Sequence, residues 1–313
     1  VRADIIDSSV TSNHGKVDLD AQSGAAIISL TAGVAGAGGV ALNATGFGNV
    51  IHNAVEVSIT DGSIVSAAGA LKQTAADSSR ITSVGLSFAG SGSLALSGIF
   101  GANVVENTIA AQIVDSRVTR AATLTQTAES AATVLGFTGG VAVGSAAGLL
   151  SLSANVIENE TLAGVVGGSN VSNVGAVSIS AQDRAVVDAL AFGVSGGGGA
   201  AGMAIAGNEI TNETHAQISD STLTTTASVD LTADSRATIR TVVMGVSAGG
   251  GLAAQFTVIG NLVENETIAE ISGSDVTAAG DVSLSAKEEV PAPAAVPDYF
   301  IPSDKIGARN DAL

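Results

Sequence analysis

The chain has 313 residues, of which 46% are hydrophobic but only 3% aromatic, with no Trp and no Cys. A formal net charge of −17 with only 12 Lys and Arg leaves no basic surface for phosphate, which argues against nucleic acid as a partner. Without Cys there is neither a disulfide framework nor thiolate chemistry, and any core must be built from small and β-branched side chains in thin, close-packed sheets.

The chain opens at Val1 with neither the basic start nor the apolar core of a signal peptide, and Ala3 to Asp7 already alternate as a strand does. It is therefore read as a processed product or a piece of a longer polypeptide. Asp7-Ser8-Ser9 marks a turn, Val17 to Ala21 form a short alternating run, and a segment of Ala, Val, Gly and Ser breaks at Gly36 to Gly39 before reaching Asn49.

This succession then returns. The pattern Asn-x-(Ile/Val)-x-Asn starts at Asn49, Asn103, Asn155, Asn208 and Asn261, giving spacings of 54, 52, 53 and 53. Turns at Asp61-Gly62-Ser63, Asp115-Ser116-Arg117, Asp220-Ser221-Thr222 and Gly273-Ser274-Asp275 keep the same phase. So do the glycine clusters at Gly90 to Gly92, Gly139-Gly140, Gly196 to Gly199 and Gly249 to Gly251, and the runs ending at Ala181, Ala233 and Ala286. A near-constant period of this length is one supersecondary unit copied along an axis, and it directs the search for function to a surface or an assembly.

Within each unit the period is two. Ile51, Asn53, Val55, Val57 and Ile59 share one parity, while His52, Ala54, Glu56 and Ser58 share the other, the signature of a half-buried strand. The fold class expected is all-β: a β-solenoid of about six coils with a repeat of about 53 residues, the outer coils incomplete. Stacked antiparallel β-sandwich layers, with the glycine clusters as hairpin turns, are the alternative. In a solenoid Asn53, Asn107, Asn159, Asn212 and Asn265 fall in one column, where their amides can ladder along the axis; Asn is also simply well suited to strand corners. In Val186 to Val194 and Ala201 to Ile205 apolar residues fill both parities, so these strands expect cover on both faces, from a flattened solenoid or from a neighbouring chain.

Residues 1–286 thus form a tandem-repeat β domain, and residues 287–313 an extended tail holding all four prolines and the sole tyrosine. The tail reads either as a solvated linker or as an assembly segment in which Tyr299, Phe300 and Ile301 are the anchors. Uncharged stretches such as Thr133 to Ile157 and Ala189 to Asn208 have the length of membrane spans, but their Gly and Ser content and their phase with the repeat speak against insertion.

The order of Gly-rich strand, Asn pair, Asp/Gly-Ser turn and alternating Val-Leu-Ala run is clearest from Asn261 to Ala286. It resembles the repeats of very large secreted bacterial filamentous adhesins, of the filamentous haemagglutinin-like and leukotoxin types, over nearly all of residues 1–286. The resemblance implies an extracellular or cell-surface bacterial rod. It would be a self-associating fibre subunit or a segment of a filament, or alternatively an adhesin stalk that displays a binding surface. Its implied partners are copies of itself or the rest of a longer parent chain, end to end, together with a host or neighbouring cell surface. No catalytic residues come with it.

The side chains themselves carry no recognisable catalytic constellation: the three histidines are His14, His52 and His215, and none stands beside a distinctive Ser or Thr, so no enzyme activity is expected. On the outward parity, Glu106, Glu158 and Glu264 recur at one phase. Stacked carboxylates repel, and Ca²⁺ could relieve this, though a solvated acidic face accounts for them equally and the calcium β-roll nonapeptide is absent. No other cofactor is expected. The Asn-x-Thr sequons at Asn159, Asn212 and Asn265 lie on the inward parity and are read as products of the repeat. An ice- or polysaccharide-contacting surface would need a repeated Thr array, and the dense run Thr222 to Thr226 occurs once.

Overall fold

The computed structural model describes residues 1–289, and all regular structure among them is β-strand. Every ladder between elements is parallel and joins residues one repeat apart: Arg2 pairs with Glu56, Asn49 with Asn103, Asn103 with Asn155, Asn155 with Asn208 and Asn208 with Asn261. Parallel pairing at one repeat is what coil-on-coil stacking requires, and it excludes the antiparallel layers. The chain is a β-solenoid. Val17, Leu71, Leu124, Val177, Val229 and Val282 stand in one column, so the described residues reach six levels at that phase.

One coil consists of a short strand and two long walls, seen most simply in Ile64–Ala67, Leu71–Ser91 and Leu94–Val114. The two walls run in opposite directions and face each other across the interior, as side-chain bonds from Asn103 to Ser83 and from Ser97 to Ser87 show. Their own backbone bonds go to the coils above and below. At one end the short strand closes the walls into a three-sided head. Val57, Ile59, Val65, Leu71 and Ala75 and their counterparts in the inner coils fill it without solvent exposure, while those of the outermost coils, such as Ile5, Ile271 and Val282, are only partly covered. Each such Val, Leu or Ile contributes on the order of 1.5–3 kcal/mol by leaving water. At the other end the walls continue as a two-layered arm that turns at the glycine clusters, except that Gly139-Gly140 lies within a wall, paired with Leu86-Ser87 and Phe192-Gly193, and the third coil turns near Gly144 instead.

The head corner is built from backbone that L-residues seldom adopt. Asp7, Asp61, Asp115 and Asp220 have φ of 44°, 57°, 43° and 48°, and Gly273 has 57° at the same phase. Asp and Gly are the residues that tolerate this left-handed region best. In the fourth coil Gly167 and Gly168 make the corner, a substitution that the Asp-x-Ser signature had concealed. Ser63, Ser169 and Ser274 then secure it: each hydroxyl donates to a carbonyl of its own corner and accepts the backbone N–H of the coil before it, as Ser63 Oγ does from Ser8 at 3.1 Å.

The glycine clusters differ from simple turns. Gly38-Gly39 and Gly92-Ser93 bend, but in later coils extended backbone runs unbroken around the tip, giving strands such as Arg117–Val166. There the coils approach so closely that a Cβ on Gly197 would strike the carbonyl oxygen of Gly144.

Candidate functional surface

Two interior Asn columns cross the boundary between head and arm, and they behave differently. The column Asn49, Asn103, Asn155, Asn208, Asn261 is an unbroken amide ladder, each Nδ2 donating to the next Oδ1 at 2.8, 2.7, 2.8 and 2.9 Å. Ser29 and Ser83 accept the second amide hydrogen of Asn49 and Asn103 from the opposite wall. The other column, expected to be the ladder, is in register, with Asn53, Asn107, Asn159, Asn212 and Asn265 paired coil to coil. Its amides, however, connect directly only from Asn107 to Asn159 and from Asn159 to Asn212, at 3.1 and 3.3 Å. Asn53 turns instead to Asp77 and Ser79, and Asn265 to Glu288.

The cause lies on the facing wall, where Ser23, Asp77, Ser130, Asp183, Ser235 and Glu288 form a column of their own. Carboxylates there compete for the Asn amides. Asp183 is wholly buried, accepts from Asn159 Nδ2 at 2.9 Å, and leaves its Oδ1 without a partner. Burial pushes its carboxyl up to about 7, while Ser130 and Asn159 pull the other way. Asn212 Nδ2, Thr161 Oγ1 and Thr214 Oγ1 are likewise buried and unpaired nearby in the same interior, which makes this vein the least satisfied part of the core. Asp77 and Asp183 share the inward parity of Leu71 and Val177, and that signal could have located them in the sequence.

The outward Glu residues are not gathered into a site. Glu106 and Glu158 are neighbours in one row with His52, Thr211 and Glu264, so Thr211 separates Glu264 from the other two. His52 Nδ1 lies 3.2 Å from Glu106 in an exposed pair. Among the described residues no three His, Asp or Glu are grouped to hold a metal ion. Tyr299, Phe300 and Ile301 lie outside the described residues.

The arm holds the most unusual feature. Its interior is mostly small and polar: Ser83, Ser87, Thr138, Ser151 and Ser195 are buried there beside Ile99 and Leu149, and Asn43 donates to Ser87 at 2.9 Å. Its outer faces are apolar. On the first wall the outward rows include Leu30, Val84, Phe137, Leu190, Val242 and, two positions on, Val34, Phe88, Val141, Val194, Val246. Phe192 lies over the outward side of Gly139, and its ring meets that of Phe137 with centroids 5.6 Å apart. On the second wall Phe100, Leu152, Ile205 and Val258 make a ridge beside a row of Gly48, Ala102, Ala154, Gly207 and Gly260. The uncharged stretches in the sequence are these walls. Among the described residues no helix is long and apolar enough to cross a membrane.

No family model, no curated protein and no solved structure matches this chain.

Proposed function

We propose that the chain is a structural, self-associating segment of an extracellular bacterial fibre, extended by coil added to coil along the solenoid axis. One observation carries this reading: the parallel register continues through every coil, and among the described residues the outermost coils keep the same geometry with one backbone edge unpaired. Among those residues, strand Ala26–Ala37 bonds only to the coil above it, and residues 238–272 only to the coil below. Such edges are templates for another coil of the same register, whether from a second copy or from the rest of a parent chain. The resemblance of the repeats to filamentous adhesins agrees with a structural role.

A rod that displays an adhesive surface at the bacterial exterior is the second reading. It is favoured by the exposed acidic rows beside the head, Glu106 and Glu158 next to Thr108 and Glu160. Electron microscopy of the purified chain separates the two. Long fibres of uniform width support growth by coil addition, and isolated short rods at every concentration favour the stalk.

A further inference from the structure

We infer that the arm is a lateral docking blade: the apolar first wall of one copy packs against the apolar second wall of another copy, side by side. This contact uses faces parallel to the solenoid axis and is separate from growth at the coil ends.

The exposed apolar rows of the arm are the first ground. A sheet pair normally hides its large apolar residues between its layers. Here the space between the layers holds mostly Ser, Thr, Asn, Ala and Gly, with Phe47, Ile99 and Leu149 as the large exceptions, and rows of large residues point outward on both sides. Val143, Val246 and Phe100 are 54%, 57% and 44% exposed, although each stands in a row within the stack. On the first wall five levels about 4.8 Å apart and four outward positions about 6.6 Å apart give a patch of roughly 600 Å². That is at the top of what a monomer ordinarily exposes. Matched by a partner face of the same size, it reaches about 1,200 Å² in total, within the range of specific interfaces.

Relief supplies the second ground. On the second wall, Phe100, Leu152 and Ile205 border a shallow hollow floored by Ala102, Ala154 and Gly207. On the first wall Val84, Leu135, Phe137 and Leu190 border a second hollow, and the second wall's ridge of Phe100, Leu152 and Ile205 has the same coil spacing. A ridge and a groove that share one repeat can interlock along their whole length, as sheets do in dry zippers about 10 Å apart. Because the two faces differ, the contact is heterologous and leaves each copy with one free face, so it propagates sideways.

Lipid is the competing occupant of an apolar blade, and two observations favour protein. Membrane strands are bordered by Trp and Tyr, whereas this sequence has no Trp and a single Tyr. The net charge of −17 also opposes approach to anionic bilayers.

The test is sedimentation velocity and electron microscopy on the whole chain and on Leu190→Lys and Leu152→Lys, with Ser178→Lys on the head as control. The expected result is that each arm variant weakens lateral association about tenfold or more and converts paired or bundled rods into single ones of unchanged length, while the control behaves as the parent. Parent rods that pair side by side but never lengthen would instead defeat end-to-end growth and leave the lateral contact standing. Should either arm variant unfold, a nitroxide at Val194→Cys, in a chain otherwise free of Cys, reports the contact directly: an intermolecular dipolar coupling at sheet-to-sheet range is expected. Unchanged association in both arm variants, or no such coupling, overturns the proposal. So does a parent chain that stays single in water yet binds neutral phosphatidylcholine vesicles, which would assign the blade to lipid.

Discussion

Asn155 donates its amide to Asn208 at 2.8 Å and accepts from Asn103 at 2.7 Å, so one side chain ties three coils together in a fully buried position. Replacing Asn155 with Leu removes one acceptor from Asn103 and the donor from Asn208. The expected cost is about 1–3 kcal/mol, read as a lowered midpoint in urea. Asn265→Leu, whose amide reaches only the exposed Glu288, should cost no more than about 0.5 kcal/mol. Equal effects at the two positions would dissolve the distinction between the columns.

Asp183 makes stability depend on pH in an unusual direction. Its carboxyl, raised by burial to about 7, keeps its proton where the unfolded chain, with an ordinary value of 3.8, has already released it. Folding is therefore favoured by this group below about pH 4, and that contribution is lost as the pH rises to about 7, after which it levels off. Asp183→Asn retains an acceptor for Asn159 and abolishes the titration. The stability gap between variant and parent should widen in the variant's favour between pH 4.5 and 8, by on the order of a few kcal/mol. Parallel stability curves for the two proteins would contradict the buried, proton-holding state.

The left-handed corners are predicted to tolerate Gly and reject branched residues. Asp115→Gly should be nearly neutral, since Gly273 occupies the same corner with φ of 57°. Asp115→Val forces a β-branched residue to φ of 43° and should cost about 1–3 kcal/mol in thermal unfolding.

Close approach at the tip gives a matched pair of tests. Gly197→Ala would drive a methyl into the Gly144 carbonyl, and backbone must move; a loss of about 1–3 kcal/mol is expected. Gly36→Ala meets nothing within 4 Å, and a shift of its melting temperature comparable to that of Gly197→Ala would show that the coils are not packed as described.

Much of the fold was legible in the sequence because a stacked coil repeats its own constraints. The phase of the Asn pairs, the parity of Ile51 to Ile59 and the Asp-Ser corners each encode a local requirement that returns every 53 residues or so. What stayed hidden depends on the opposite wall. Whether Asn49 or Asn53 heads the continuous ladder is decided by Ser29 on one side and Asp77 on the other, roughly 20 residues away in either direction. The exposed apolar rows of the arm were hidden for another reason. Period-two alternation marks two faces without naming the inner one, and where walls press together largely around Ser, Ala and Gly many of the larger residues are left outside.

The uniform one-repeat register also dictates how such a chain can be made. Every inter-coil bond joins residues some 53 apart, so the first two coils must close long loops with no prepared edge to receive them. Each later coil lays its strands onto an edge that already exists, and its loop-closure cost is met by a complete row of hydrogen bonds. Folding becomes nucleated growth with a direction, in which a finished coil acts as the seed for the next and a chain emerging from one end can be captured as it appears.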